Sequence, residues 1–134
     1  MSQQTSIEDA GSAREDARRL AVVAARAADD KGATDVLILE VAGVLTVVDE
    51  FVIASAANDR QVRAVVDEIE LKVAEAGLAR PLRVEGRDER RWVLLDYGDV
   101  VVHVFLQEVR EYYELERLWT DVPRVEWQPA LTSR

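Results

Sequence analysis

The sequence predicts a single α/β domain, with a mixed sheet of roughly five strands flanked by helices. Two stretches before residue 80 carry apolar residues at helical spacing, while five shorter stretches are rich in β-branched and aliphatic residues, as strands are. The elements follow the order α, β, β, α, β, β, β, α, which suits one α/β layer with a mixed sheet. With 134 residues, 49% of them hydrophobic, the chain suffices for one core and is too short for two.

The N-terminus, residues 1–12, is polar and is expected to be flexible, although Thr5-x-x-Glu8 and Ser6-x-x-Asp9 are both capping patterns. Ala13 to Lys31 reads as a helix with Leu20, Val23, Ala24 and Ala27 inward, ended by Gly32. Thr34 to Val41 is a strand whose continuous apolar run implies burial. Ala42-Gly43 signals a turn, and a second strand covers Glu50 to Ser55. Asn58-x-x-Gln61 matches a capping box opening a helix with Val62, Val65, Val66, Ile69, Leu71 and Val73 at helical spacing, closed by Gly77. Pro81 to Glu85 is a short edge strand, because proline cannot donate to a sheet ladder.

After the polar link of residues 86–91, Trp92 to Asp96 and Val100 to Phe105 are apolar on both parities and should lie inside the sheet. Tyr97-Gly98-Asp99 makes them a hairpin, with Gly98 free to take positive φ. The turn is expected to display Asp96, Tyr97 and Asp99 together. A helix is predicted over Glu108 to Trp119, and its apolar residues spread over roughly 220°, wider than one sheet can cover. Leu115 and Leu118 should anchor it, leaving Tyr113 and Glu116 at the edge of a docking face. Residues 121–134 read as an extended tail with a mobile end, so the domain proper is expected to span residues 13–120.

Several function classes are excluded or disfavoured by composition. There is no cysteine, hence no disulfide framework or thiolate zinc site. No apolar run approaches a membrane span or a signal segment, so a cytoplasmic location without membrane contact is expected. The formal charge of −9, from 26 acidic and 17 basic side chains, makes free nucleic acid a poor partner and a basic protein a good one. Asp96 and Asp99 could approach one cation as in a nucleotidyltransferase-type enzyme, yet the chain has no glycine-rich phosphate loop, and aspartates commonly close turns. His103, the one histidine, shares a strand face with Val101 and Phe105 and reads as a hydrogen-bonded core residue. The reading is a non-enzyme without cofactor or metal.

The run Trp92 to Trp119 resembles the bacterial ribosomal silencing factor family, also called Iojap-like proteins. The pattern is W-v-x-x-D-y-G-D-v-x-V-H-v followed by R-x-x-Y-x-L-E-x-L-W, matched by Trp92, Asp96, Gly98, Asp99, Val102, His103, Arg110, Tyr113, Leu115, Glu116, Leu118 and Trp119. Upstream, Asp49, Phe51 and Ile53, then Arg60 and Val62, then Glu85-Gly86 also fit, so the likeness covers about Thr34 to Trp119. Glu50 stands where tyrosine is common, and Ala56-Ala57-Asn58 replaces the usual glycine-and-serine turn. The resemblance implies a fold like nucleotidyltransferases in outline but without their catalytic acids. It implies a factor that binds the large ribosomal subunit through ribosomal protein uL14, blocks joining with the small subunit, and represses translation in starvation. It also implies that homodimers can form, and two alternatives stay open: a nucleotidyltransferase-type enzyme using Asp96 and Asp99, or a dimeric adaptor with another client. The partner-binding residues expected are Trp92, Tyr97, Asp99, His103, Arg110, Tyr113, Glu116 and Trp119.

Overall fold

The structure, a computed structural model, describes the backbone of residues 2–128 and the side chains of residues 11–128. Helix α1 spans Ser2–Asp30, strand β1 Thr34–Glu40, β2 Glu50–Ala56, α2 Asp59–Glu75, β3 Arg83–Glu85, β4 Trp92–Asp96, β5 Val100–Leu106 and α3 Gln107–Tyr113, followed by a 3-10 turn at Leu115–Trp119. The expected order holds. The five strands lie in the order β1-β2-β5-β4-β3, with β2 and β5 parallel and the other pairs antiparallel. The parallel pair is joined by α2 and the β3–β4 hairpin, so β2 and β5 form the centre and β5 is buried along its whole length.

Alternation along the strands separates two faces. One carries Ile38, Val52, Ala54, Val93, Leu95, Val102 and Val104, and α1 and α2 pack over it. Ala17, Ala21, Ala24, Ala25, Ala27 and Ala28 are all buried, small enough to let α1 approach both α2 and the sheet. The buried stripe is therefore wider than Leu20, Ala24 and Ala27, while Val23 is only half-buried. Helix α1 also begins at Ser2 rather than Ala13, so residues 2–12 are helical where a flexible segment was expected. No proline interrupts this stretch, and Gly11 costs a helix interior only about 1 kcal/mol. The two proposed capping patterns involve side chains outside the described residues.

The cap of α2 is as expected at its first bond, with Gln61 N–H donating to Asn58 Oδ1 at 2.8 Å. The return bond is displaced by one residue, since Gln61 Oε1 accepts from Ala57 N–H. Leu71 departs from the buried series and is exposed. At the hairpin, Tyr97 N–H bonds Val100 O, and Gly98 takes φ +93. Strand β3 is shorter than expected but does form the sheet edge.

Two expectations fail near the C-terminus. The helix predicted over Glu108 to Trp119 breaks at Glu114, whose φ of 50 places it in the left-handed region. Beyond it the chain tightens into the 3-10 turn, so no single continuous apolar face exists. Leu115 packs against the core, but Leu118 is exposed rather than anchoring. The tail is not merely extended either. Glu40 N–H bonds Pro123 O and Val125 N–H bonds Ile38 O, so the segment pairs with the otherwise open edge of β1, satisfying backbone groups that an edge leaves bare. Trp127 is buried beside α1, donating from Nε1 to Val36 O at 3.0 Å, while its carbonyl accepts from Arg26 Nε. Residues 129–134, the rest of the expected tail, lie outside the described residues. Trp127→Phe keeps most of the buried ring but leaves Val36 O without its donor, so a loss of about 1 to 2 kcal/mol in a denaturant titration is expected.

Candidate protein-binding face

The second face of the sheet is covered only in part. Phe51, Ile53 and Ser55 of β2, Val101, His103 and Phe105 of β5, and Trp92, Leu94 and Asp96 of β4 fall on it by register. Helix α3 and the 3-10 turn shield its β2–β5 centre near Phe105, while the ends toward Asp99 and toward the Gly86–Arg91 link stay open. Hence β5 is buried on both faces as expected, but β4 on one only.

An aromatic layer occupies this face. The Trp92 ring lies 4.7 Å from Phe105 and 5.2 Å from Tyr113, and Phe51 meets both His103 and Trp119 edge-on at 5.1 and 5.4 Å. Trp92 Nε1–H donates to His103 Nδ1 at 3.1 Å. An imidazole that accepts at Nδ1 is neutral and carries its proton on Nε2. Burial pushes the His103 pKa down from 6.5 to about 4, because the charged ring would lose its hydration.

That depression has a sign. Between about pH 4 and 6.5 the unfolded chain holds a proton that the folded chain does not, so unfolding takes one up. Stability from this group is complete above that window, declines as pH falls through it, and changes no further below it. The shift corresponds to roughly 3 kcal/mol. Melting curves across the window should therefore fall more steeply with acid in the native chain than in His103→Gln; parallel curves would contradict the assignment.

The other expected partner residues divide. Asp99 is exposed at the rim, and Tyr113 is exposed against Trp92. Trp92 and Trp119 are half-buried. Tyr97, expected beside Asp99, points instead into the core under α2, where burial pushes its phenol up, so the turn does not display it. Each hairpin residue alternates in face, which a three-residue turn does not undo. Arg110 is buried, donating to Asp35 O at 2.6 Å and Ser55 Oγ at 2.8 Å, with Nε 3.3 Å from Glu116 Oε2. Glu116 is thus the counter-ion of a buried arginine and not a free docking carboxylate. The residues missed are Val47 and Leu82, which stand exposed beside Phe51 at the open end. The family match had pointed to Phe51. Val47 and Leu82 had no signal beyond being aliphatic in turn-rich stretches.

Asp96 is committed as well. Its Oδ1 accepts from Gly98 N–H at 2.8 Å and its Oδ2 pairs with Arg83 at 3.2 Å. Among the described residues no group of three or more acidic or imidazole side chains is placed to hold a metal ion. No helix among them is long and apolar enough to cross a membrane. Glu50, the departure at the tyrosine position, is buried with Arg18 Nε at 2.6 Å, and burial raises its pKa against that partner.

A family model described as ribosomal silencing factor during starvation matches residues 14–134. The chain belongs to the ribosomal silencing factor family. It is 48% identical over 101 residues to the ribosomal silencing factor RsfS of Bacillus subtilis (strain 168), an alignment covering 75% of this chain and 85% of that one. It is 34% identical over 93 residues to a Mus musculus protein named mitochondrial assembly of ribosomal large subunit protein 1, covering 67% of this chain and 40% of that one. A crystal structure of a Chromobacterium violaceum protein superposes with a TM-score of 0.73 at 34% identity, covering 76% of this chain and 84% of that one. Ribosomal silencing factors carry a regulatory name and not an enzymatic one, and the expectation drawn from the Trp92–Trp119 pattern holds at that level.

Proposed function

We propose that this chain binds the large ribosomal subunit through uL14 and blocks joining of the small subunit, so lowering translation, notably in starvation. It acts in the cytoplasm by occupying space, without a catalytic step or a cofactor. The observation that carries this reading is the half-covered sheet face, with its aromatic floor and exposed Val47, Leu82 and Tyr113, on an acidic chain of this family. Such a face lacks the cover that a monomer's own core receives, and aromatic residues supply much of the energy at protein contacts. Net charge of −9 suits a basic ribosomal protein. Steric exclusion then requires only a modest contact in the right place.

The experiment is co-sedimentation with isolated large and small subunits, paired with a reconstituted joining assay. Binding to large subunits, with depletion of joined ribosomes, is expected. Binding to small subunits alone, or to neither, would overturn the proposal. Affinity should also fall as salt rises, because exposed charges are screened over about 8 Å at physiological ionic strength. An affinity insensitive to salt would remove the electrostatic part of the argument.

A further inference from the structure

At the Asp99 end of the open face lies a groove of about 560 Å³. Phe51, Val101 and His103 form its floor, Val47 and Leu82 its walls, and Asp99 part of its rim. The walls are the unusual part. Val47 is 75% exposed and Leu82 76%, two aliphatic side chains held apart over an apolar floor. The floor contributes a second, independent feature. His103 is 95% buried, given its 5% exposure, and its Nε2 has no hydrogen-bond partner among the described residues. His103 lines the groove and its Nδ1 is taken by Trp92, which does not, so Nε2 is the ring nitrogen left without a partner. With the proton fixed on Nε2, that atom is a donor and cannot serve as an acceptor. A buried donor left unpaired is costly, which favours any arrangement that supplies an acceptor.

We propose that this groove seats an extended segment of the ribosomal partner, which packs an aliphatic side chain between Val47 and Leu82 and offers a main-chain carbonyl oxygen to His103 Nε2–H. The inference rests on the large-subunit reading above and specifies its contact. Charge favours a basic segment as the occupant. Arg83 and Asp96, which also line the groove, pair with each other, whereas Asp99 on the rim has no ion-pair partner among the described residues, so a lysine or arginine flanking the seated side chain would meet Asp99. Nε2 is shielded from solvent in the free chain, and seating therefore includes rotation of a neighbouring half-buried side chain such as Phe51, an ordinary adjustment at interfaces.

The test uses the full chain and isolated large subunits. Val47→Asp and Leu82→Asp alter exposed positions and should melt close to the native chain, while each weakens large-subunit binding by about tenfold or more. Leu71→Asp, at an exposed position on α2 across the molecule, should bind as the native chain does. His103→Gln retains an acceptor for Trp92 and a donor for the partner, and should bind more tightly than His103→Phe.

If the native chain binds and both aspartate variants bind equally well, the groove is overturned while the large-subunit reading stands. If the native chain itself does not bind large subunits, that reading fails and takes the groove with it. Should Val47→Asp abolish self-association in a sedimentation run without changing ribosome binding, the occupant is a second copy of the chain and the proposal is overturned. If folded His103→Phe binds as His103→Gln does, the hydrogen-bond assignment is overturned.

Discussion

Arg110→Ala is expected to lower stability by about 3 to 5 kcal/mol, the cost typical of removing one partner from a buried ion pair. Arg110 is 6% exposed, and its guanidinium ties three separate pieces of chain together: Asp35 O at the start of β1, Ser55 Oγ on β2, and Glu116 in the 3-10 turn. Truncation strands all three acceptors at once. Replacement by lysine restores the charge but not the geometry, because an ammonium cannot present the planar fork that reaches several directions from one stem. Glu116→Ala should cost less, about 1 to 3 kcal/mol: it leaves the buried guanidinium without its counter-charge, but the bonds to Asp35 O and Ser55 Oγ remain and water can enter at a site 28% exposed. Denaturant titrations of the three variants would test the order. An Arg110→Ala chain as stable as Glu116→Ala would mean that the bonds to Asp35 and Ser55 contribute nothing. The variants also bear on binding, because Arg110 and Glu116 hold the turn that places Trp119 against Phe51. A loss of ribosome binding in either one would follow from displacement of that turn.

Gly86→Ala should be of comparable size, roughly 3 kcal/mol or more, for a different reason. Gly86 has φ +82, where a side chain is strained, and a Cβ there would collide with the Trp92 carbonyl oxygen. The obstacle is backbone, so no side-chain rotation can relieve it. Either β4 moves away at its first residue or the Gly86 turn opens and loses the Arg90 N–H to Gly86 O bond. Trp92 would shift in both cases, loosening its bond to His103. Gly77→Ala supplies the comparison: its φ of +71 is similar but its Cβ would meet nothing, so only the conformational cost of about 1 kcal/mol is expected. Equal melting temperatures for the two alanine variants would show that β4 yields freely at Trp92.

Where one local pattern sufficed, reading the residues was reliable. The Asn58 cap, the Gly32 and Gly77 stops, the Tyr97-Gly98-Asp99 hairpin and the buried β5 each depend on neighbours in sequence, and each is found. The over-wide helix illustrates the failure. Projecting Glu108 to Trp119 onto one wheel assumed unbroken geometry, whereas Glu114 leaves the helical region and the wheel has no meaning beyond it. The pairing of Glu116 has the same origin: its partner, Arg110, lies across the break, and only the break brings the two charges together.

The sequence by itself determined the family, the order of elements and the acidic character, because motif spacing, hydrophobic period and charge are properties of the chain alone. Tertiary structure decided which matched residues face a partner. Arg110 and Tyr97 sit inside the same motif as Asp99 and Tyr113, yet the first two are buried and the last two exposed. It also decided that Trp127, in a stretch with no periodicity, belongs to the core, and that Val47 and Leu82, distant in sequence, wall one groove. The physical reason is common to all of these. Burial depends on which chain segments cross a given sheet face and which edge is left open, and those are settled by strand order and by contacts between residues far apart in sequence.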